Sequence, residues 1–342
     1  MKYKAKDIAR ELGVSPTTVS LVLNNKPGVG EKTREIIINK INELGCEDLL
    51  KKGSGQVSHK GYIGFVVYKR EGSIVDESPF FNYLLEGMTA RAYDNGYILN
   101  FIYINSNMSQ EEKEAQIKGI DYKGLLVFGV EMIYEDLDVL KKSNLPFVII
   151  DNSFPESDID AVAINNNLGV SKAVDYLYEM GHRRIGYIKS KVRINSFEER
   201  RSAFKRKLRH LGIEEDRKHI LNVGYSKSMI QEDVNIYLDG MNKEELPTAF
   251  FAENDFLGCN VMRMLQEKGY QVPGDISVIG FDNRPISELV EPRLTTINVP
   301  KEIFGPESVA LLISKIEEKR QQSLKIVVGT NIIVRESVKR LD

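Results

Sequence analysis

The chain has 342 residues, of which 42% are hydrophobic and 28% charged, and its formal net charge is −2. This composition is typical of a soluble globular protein, and the length suits a small module joined to a larger core. The amino terminus carries charges and no apolar run, so we expect neither a secretory signal nor a transmembrane segment, and we expect a cytoplasmic protein.

Charge is distributed unevenly along the sequence. Residues 1–60 carry a net charge of +4, which leaves −6 for the remainder. A basic end on an acidic body is typical of a nucleic-acid-binding module attached to another domain, although +4 alone is a modest signal. Cys46 and Cys259 are far apart in sequence. Their spacing favours free thiols over a disulfide or a zinc site.

Residues 1–45 predict three short helices. The first ends at Gly13, and Ser15 with Pro16 starts the second, because the hydroxyl accepts a backbone N–H and the proline needs none. The third helix follows residue 28 and ends at Gly45. Helical spacing predicts that these side chains point inward: Ile8, Ala9, Leu12, Val19, Val22, Leu23, Ile37, Ile41 and Leu44.

The second helix has one face of short polar and apolar side chains. Thr17, Leu21 and Asn24 lie at positions i, i+4 and i+7, opposite the inward-facing Val19 and Leu23. A helix with an apolar back and small hydroxyl or amide groups in front fits the major groove of DNA. We therefore predict a helix-turn-helix, although apolar spacing alone also fits a small helical bundle.

Three motifs occur at fixed distances within residues 7–24, namely Asp-Ile-Ala, Leu-Gly-Val-Ser and Thr-Val-Ser-x-x-Leu-Asn. In these motifs, and in the run Lys32–Arg34, the chain resembles the lactose-repressor and galactose-repressor family of bacterial transcription regulators. The resemblance implies a homodimer that binds a pseudo-palindromic double-stranded DNA operator in the bacterial nucleoid. It extends to later segments and covers nearly the whole chain.

The resemblance implies roles for the residues of the headpiece. Thr17 and Leu21 are expected to contact base edges. Relatives often have an arginine where this chain has Leu21, so we expect apolar contact there, as with a thymine methyl group. The other residues expected at the DNA, mainly at phosphates, are Lys4, Lys6, Ser15, Pro16, Thr18, Ser20, Asn24 and Thr33.

Residues 46–60 read as a linker, and they depart from the family pattern. Relatives have an aromatic-x-Pro-Asn entry and a hinge helix that inserts a leucine into the minor groove. Here Cys46 and Asp48 replace the aromatic residue and the proline, and Gly53-Ser-Gly55 occupies the end of that helix. Either Leu49–Leu50 takes the inserting role in a shifted register, or the protein kinks its operator little.

From Gly61 onwards, short runs of Val, Ile and Leu alternate with helical segments. Such runs suit parallel strands covered on both faces. The alternation occurs twice, which predicts two doubly wound parallel sheets with a ligand cleft at the carboxyl ends of their strands. The predicted fold is therefore a small all-α helix-turn-helix headpiece followed by a two-lobed α/β core, periplasmic-binding-protein-like as in the family.

We predict a headpiece at 1–45, a linker or hinge at 46–60, and an effector-binding and dimerisation core at 61–342. In relatives the closing segments of the chain cross back between the lobes. On that basis the amino-terminal lobe is predicted at about 61–162 and 293–320. The carboxy-terminal lobe is predicted at about 163–292 and 321–342.

Candidate effector-binding residues lie mostly near the ends of predicted strands. Arg200 resembles the arginine of the family motif Ser-x-x-x-Arg-x-x-Gly-Phe, which holds ligand hydroxyls or a carboxylate. Asp282 directly follows an apolar strand and resembles the ligand-binding aspartate of the family. The remaining candidates are Tyr68, Phe80, Phe81, Ser196, Tyr225 and Asn254.

Some of these residues have simpler interpretations. Arg200 also fits a surface ion pair with a neighbouring glutamate, and Arg201 is expected to be a solvated charge. Asp255 also fits a helix cap. We expect Lys301 to face solvent, together with Lys69 and Arg70.

The sequence contains no pattern that predicts catalysis or a bound cofactor. Phosphate-binding glycine motifs and a Gly-x-Ser-x-Gly nucleophile elbow are absent, and the four histidines form no His-x-x-x-His pair. We therefore expect no enzyme activity, no cofactor and no metal site.

The resemblance implies a ligand-responsive repressor, with a sugar as the first candidate effector and a nucleobase or a phosphorylated effector behind it. Carbohydrate utilisation is the expected target of regulation. A sugar- or nucleobase-binding protein or enzyme that uses the same cleft is the alternative, with DNA binding dependent on a partner protein. A periplasmic solute-binding protein would not carry residues 1–45.

Overall fold

The computed structural model describes residues 4–23, 28–46, 59–77 and 80–341, without the side chains of residues 5, 77 and 80–82. The chain divides into two compact units, Met1–Lys60 and Gly61–Asp342. Asn24 and Leu49–Leu50 lie outside the described residues, so the predictions made for them and for most of the linker have no structural counterpart.

The first unit contains helices α1 (Ala5–Leu12), α2 (Pro16–Leu23) and α3 (Glu31–Glu43). Its core consists of buried side chains from all three helices: Ile8, Ala9, Val19, Val22, Leu23, Ile37 and Ile41. These residues are among those predicted to point inward. Gly13 and Gly45 follow α1 and α3 with φ angles of 64° and 61°, a conformation that glycine adopts without strain. The predicted helical headpiece is therefore confirmed.

The second unit contains two six-stranded sheets within the described residues. The first sheet is entirely parallel and has the order β11-β5-β4-β3-β1-β2. Its strands are β1 (Gly61–Lys69), β2 (Tyr97–Asn105), β3 (Tyr122–Phe128), β4 (Phe147–Ile150), β5 (Asp160–Ile164) and β11 (Lys325–Val328).

The second sheet has the order β12-β10-β9-β8-β6-β7, in which only the pairing of β12 with β10 is antiparallel. Its strands are β6 (Ile185–Ser190), β7 (Ile220–Val223), β8 (Ala249–Ala252), β9 (Ser277–Asp282), β10 (Thr295–Asn298) and β12 (Asn331–Ile333). In both sheets the strand order reverses beside the first strand of the lobe, which is the doubly wound arrangement that was predicted.

Helices cover both faces of the sheets, as parallel strands of unbroken apolar sequence require. The helices of the first lobe are α4 (Ser73–Glu77), α5 (Phe80–Asp94), α6 (Gln110–Lys118), α7 (Leu137–Lys142) and α13 (Lys301–Glu317). Those of the second lobe are α8 (Asn166–Glu179), α9 (Asn195–His210), α10 (Lys227–Asp239), α11 (Asp255–Glu267) and α12 (Ile286–Leu289).

The predicted lobe boundaries need correction at the end of the chain. The segment 293–320 was assigned to the amino-terminal lobe, but β10 within it pairs with β9 of the second sheet. The segment 321–342 was assigned to the carboxy-terminal lobe, but β11 within it pairs with β5 of the first sheet. The chain thus crosses between lobes after β5, between β10 and α13, and between β11 and β12.

None of the helices in the described part of the chain is long and apolar enough to span a membrane.

Candidate functional site

The predicted DNA-binding residues that the structure describes lie on the surface of the headpiece. Thr17 is exposed and Leu21 is half-buried on α2, whereas Val19 on the opposite face has no exposed surface. The other described candidates are also exposed or half-buried: Lys4, Lys6, Ser15, Pro16, Thr18, Ser20 and Thr33. These side chains are therefore accessible on the surface of the headpiece.

Ser15 has a structural task at the start of α2. Its hydroxyl accepts the backbone N–H of Thr18 at 3.0 Å and lies 2.8 Å from the Thr18 hydroxyl. This is the N-cap arrangement that the Ser-Pro sequence predicted, and it satisfies a backbone N–H that the helix leaves without a partner. The cap fixes the residue at which α2 begins, and with it the positions of Thr17 and Leu21 on the helix.

The predicted residues of the second lobe converge on one cleft between the two sheets. The cavity in this cleft has a volume of about 30 Å³. It lies where strands of both sheets reach their carboxyl ends, which is the expected place for a ligand in doubly wound sheets. The predicted residues that line it are Ser196, Arg200, Tyr225, Asn254 and Asp282.

Arg200 is the central cation of the cleft and is only 2% exposed. Its guanidinium donates to the Asn166 side chain at 2.8 Å, to the backbone carbonyl of Glu253 at 2.5 Å, and to the Asp282 carboxylate at 3.1 Å. It also lies 3.7 Å from the centre of the Phe281 ring. The surface ion pair with Glu198 or Glu199 is therefore wrong, and Arg200 is a buried, oriented donor.

Asp282 ends β9, as predicted, and takes a backbone φ of 104°. Lys301 does not face solvent as expected, because its ammonium donates to the backbone carbonyls of Asp282 and Asn283. One Asp282 carboxylate oxygen faces Arg200. A carboxylate in this position accepts hydrogen bonds from ligand hydroxyl or N–H groups.

Asn254 and Tyr225 form a second polar corner of the cleft. Asn254 caps α11 by accepting the backbone N–H of Leu257 at 3.0 Å, and its amide donates to the Tyr225 hydroxyl at 2.6 Å. The Tyr225 ring stacks on Phe256 with ring centres 5.0 Å apart. The aromatic face of Tyr225 and its hydroxyl are both fixed before any ligand arrives.

Asp255 is not the helix cap that the sequence also allowed. Its buried carboxylate accepts the Arg284 backbone N–H at 2.6 Å and the Thr296 hydroxyl at 2.5 Å. Burial, followed by the nearby Asp282, raises the pKa of Asp255 to about 7. Gly280 permits this contact, since a Cβ at that position would lie 2.2 Å from an Asp255 oxygen. Asp255 thus supports the strand end that carries Asp282.

Asp151 lines the cleft from the first lobe and was not predicted from the sequence. It follows β4 with a φ of 66°, and among the described residues its buried Oδ1 has no hydrogen-bond partner. Burial raises the pKa of Asp151 to about 8, opposed by Arg200 and assisted by Asp282 and Glu199. At neutral pH the group is therefore mostly a neutral acid that can donate a hydrogen bond into the cleft.

Replacing Asp151 by asparagine should stabilise the protein increasingly as pH rises. The folded-state pKa of about 8 lies above the ordinary aspartate value near 4, so deprotonation between these values favours the unfolded state. Relative to wild type, the free energy of unfolding of Asp151→Asn should rise by up to about 1.4 kcal/mol per pH unit between about pH 4 and 8. Urea denaturation at pH 5, 6, 7 and 8 measures this difference. A constant difference across the series would contradict a raised pKa.

The residues of the first lobe predicted to line the cleft are not found there among the described side chains. Tyr68 is buried away from the cleft, where its hydroxyl donates to Asp136 at 2.5 Å. Arg70 does not face solvent freely, since it pairs with the same carboxylate at 2.7 Å. Lys69 forms an ion pair with Asp76. Phe80 and Phe81 begin α5, but their side chains lie outside those described.

Arg201 was expected to be a solvated charge, and that expectation is wrong. The residue is 7% exposed, pairs with Glu215, and lies 4.7 Å from the centre of the Tyr187 ring. Its guanidinium therefore belongs to the core of the second lobe rather than to the cleft.

The wall of the cleft on the first lobe is mainly apolar, and sequence reasoning missed it. Its residues are Ile74, Phe128, Val130 and Ile164. Buried Glu131 fixes the loop that carries Ile74, because its carboxylate accepts the backbone N–H groups of residues 70, 71, 72, 74 and 75 at 2.8 to 3.1 Å. A glutamate three residues after the end of β3 was the available signal. The cleft is thus polar on one side and apolar on the other.

Comparison with known proteins assigns both units to families. Residues 4–46 match the family described as bacterial regulatory proteins, lacI family. Residues 174–338 match the periplasmic binding protein-like domain. The chain is 31% identical over 343 residues to the HTH-type transcriptional repressor PurR of Vibrio atlanticus, with 98% of this chain and 99% of that protein covered.

Solved structures agree with this assignment. A complex of the transcriptional regulator CelR with cellobiose has a TM-score of 0.73 at 25% identity and covers 98% of this chain and 99% of its own. A LacI family regulator from Enterococcus faecium with bound ribose has a TM-score of 0.69 at 26% identity, covering 82% and 100%. The chain therefore belongs to the lacI family of bacterial regulatory proteins, and it is a DNA-binding transcriptional repressor with a ligand-binding core rather than an enzyme.

Proposed function

We propose that the protein represses genes for the use of a small hydroxylated molecule, a sugar in the first instance, and that this effector binds in the cleft and changes operator affinity. The observation that carries the proposal is the convergence of Ser196, Arg200, Tyr225, Asn254 and Asp282 on one cleft. An oriented guanidinium, a carboxylate, an amide and hydroxyls together match the donor and acceptor groups of a sugar.

The relatives with bound ligands support a sugar. The CelR structure contains cellobiose, and the Enterococcus faecium regulator contains ribose. Both share the fold over more than 80% of this chain, since they cover 98% and 82% of it. A sugar ring would place hydroxyls against Arg200 and Asp282, and its less polar face against the apolar wall of the first lobe.

A nucleobase is the second candidate effector. The Tyr225 ring on one side and Phe128 with Ile164 on the other suit a flat ring better than a bulky saccharide. The similarity to repressors named PurR also favours a nucleobase, in particular a purine. A neutral Asp151 could donate to a ring nitrogen or an exocyclic oxygen of such a base.

Calorimetry and thermal shift with ribose, cellobiose, hypoxanthine and guanine distinguish the candidates. A ligand at 100 times its dissociation constant should stabilise the folded state by about 2.7 kcal/mol. A shift with ribose or cellobiose supports carbohydrate control, whereas a shift with hypoxanthine or guanine alone transfers the assignment to nucleobase control. If no sugar or nucleobase stabilises the protein or produces binding heat, the proposed effector class is wrong.

For the headpiece we propose that α2 enters the major groove, where Thr17 and Leu21 contact base edges. A neutral, apolar residue at the position of Leu21 favours contact with a thymine methyl group. The exposed Lys4 and Lys6 would neutralise phosphates, so operator affinity should fall as salt rises, with each neutralised phosphate contributing about 0.9 to the log–log slope. Gel shifts of the upstream region of the gene at several salt concentrations measure that slope.

We further propose a homodimer formed in part by the first lobe. Edge strand β2 exposes Phe101 and Tyr103, whose rings stack at 6.5 Å, and the packed helix α5 exposes Tyr83 and Tyr93. Aromatic side chains exposed together at 41 to 54% are typical of an interaction surface. Light scattering should give about twice the 38.8 kDa of one chain. A single-chain mass at micromolar concentration would contradict the proposal.

A further inference from the structure

The turn at Asp282 and Asn283, which carries the Asp282 carboxylate of the effector cleft, has a strained backbone and needs support from its neighbours. Asp282 and Asn283 are consecutive non-glycine residues with φ angles of 104° and 51°. Such conformations are costly for residues with a Cβ and persist only where surrounding contacts hold them. Contacts from the second lobe include Arg335, which donates to the Asn283 side chain at 2.8 Å.

Lys301 holds the same turn from the first lobe. Its ammonium donates to the backbone carbonyl of Asp282, and to that of Asn283 at 3.0 Å. Lys301 is the first residue of α13, and α13 packs against α5 and against strands β3, β4 and β5 of the first sheet. The ammonium therefore links the end of β9 in the second lobe to a helix of the first lobe.

The position of Lys301 is unfavourable for a cation by itself. The amino-terminal end of a helix carries a partial positive charge, which repels an ammonium in the first turn. Burial also lowers the pKa of Lys301, which means that the charged form loses hydration there. The two carbonyl contacts stabilise the charged ammonium against both effects. We therefore assign the role of Lys301 to the turn that it contacts rather than to the helix that it begins.

Lys301 also reaches towards the surface proposed for dimerisation. Its Nζ lies 6.0 Å from the centre of the Tyr83 ring on α5. Lys301 therefore joins the Asp282 turn to α13 and α5 by side-chain contacts, in addition to β10, which pairs with β9 at Asp282 and leads into α13.

We propose that Lys301 is a positioning residue that holds the Asp282–Asn283 turn in its effector-binding conformation and couples that turn to α13 and α5. This inference rests on the proposed function, because it assigns Lys301 a role in how occupancy of that cleft is communicated. Lys301 itself does not line the effector cleft.

The test compares Lys301→Met with Lys315→Met in the full-length protein. Methionine has nearly the length of lysine without its charge. Lys315 lies on the same helix and binds Asp160 at 3.1 Å, so its replacement controls for the loss of a half-buried ammonium on α13. Lys301→Gln makes the same comparison should the methionine variant not fold.

The first readout is hydrogen exchange of the backbone amides of Asn283 and Arg284 without ligand. In the structure these amides donate to Thr296 at 3.4 Å and to Asp255 at 2.6 Å. Their exchange should be about tenfold faster in the Lys301 variant and unchanged in Lys315→Met. Equal exchange in the Lys301 variant and wild type would overturn the proposal, as would equal acceleration in both lysine variants.

The second readout is calorimetry with ribose, cellobiose, hypoxanthine and guanine. A probe that binds wild type should bind the Lys301 variant about tenfold more weakly, and Lys315→Met with unchanged affinity. Unchanged affinity in the Lys301 variant would overturn the positioning role. If none of these probes binds wild type, the proposed function fails on its own, and hydrogen exchange still decides whether Lys301 holds the turn.

Discussion

Replacing Asp282 by alanine should weaken effector binding by about a hundredfold or more. The substitution removes a charged acceptor from the cleft and leaves the buried guanidinium of Arg200 without its ion-pair partner. A hundredfold loss corresponds to about 2.7 kcal/mol, which is within the range for a hydrogen-bonded charge in a ligand site. Calorimetry with the sugar or nucleobase that binds wild type measures the loss.

Glu336→Ala is the matched control for this prediction. Glu336 is another carboxylate of the second lobe that pairs with an arginine, Arg293, but the pair is exposed and does not line the cleft. Its removal should leave both binding and stability essentially unchanged, because exposed ion pairs contribute little. Full binding by the Asp282 variant would show that the effector site lies elsewhere.

Arg200→Ala is a less informative variant than Asp282→Ala, because Arg200 also supports the fold. Its loss would leave the Asn166 side chain and the Glu253 carbonyl without a donor. The Arg200–Asp282 ion pair is broken in both variants, but only Arg200→Ala also removes these two hydrogen bonds. Lost binding in that variant would therefore combine an effect on the ligand with an effect on the second lobe.

Replacing Val19 by aspartate should abolish specific operator binding and leave effector binding intact. Val19 has no exposed surface and belongs to a small core shared by α1, α2 and α3. A buried, unpaired carboxylate costs several kcal/mol, and a core of this size has little stability to lose. Unfolding of α2, which we propose enters the major groove, should reduce operator affinity to the nonspecific level, about a thousandfold or more.

Gel shifts and effector calorimetry on the same preparation measure both parts of this prediction. Ile36→Asp is the control, since Ile36 lies on α3 of the same unit and is 56% exposed. The control should retain a folded headpiece and specific DNA binding. Specific binding by the Val19 variant would show that residues outside the headpiece recognise the operator, and lost effector binding would show that residues 61–342 do not fold as an independent unit.

The headpiece could be predicted from sequence because its structure is set by local signals. Gly13 ends α1, Ser15 caps α2, and the spacing of apolar residues identifies the buried face, all within a few residues of one another. The polar half of the cleft was predictable mainly from the family resemblance, since Arg200 and Asp282 match family motifs. Asp282 also directly follows an apolar strand, and ligands of doubly wound sheets bind at the carboxyl ends of strands.

The other half of the cleft depends on which face of a buried strand each side chain occupies. In β1, Phe65 and Val67 face one apolar cluster, whereas Val66 and Tyr68 face the other. All of these residues are apolar or aromatic, so the sequence contains no alternation that reveals the orientation. For this reason Tyr68 was placed at the cleft, while the apolar wall was missed.

Long-range contacts account for the remaining differences. Arg201 becomes buried because Glu215, beyond the end of α9, provides its charge partner. Asp151 acquires its raised pKa from burial between lobes that are distant in sequence. Strands β10 and β11 likewise belong to different sheets from those predicted, because their pairing partners decide this. The partner of β11 is β5, which lies more than a hundred residues earlier in the chain. Such contacts leave no local pattern.

Coupling between cleft occupancy and operator binding is measured by reciprocal titration of the effector and the operator. Operator affinity is measured with and without a saturating sugar or nucleobase, and the affinity for that small molecule is measured with and without operator. We expect both ratios to be equal and to lie between about 5 and 150, in either direction. If both partners bind and both ratios equal one, the cleft does not control this repressor.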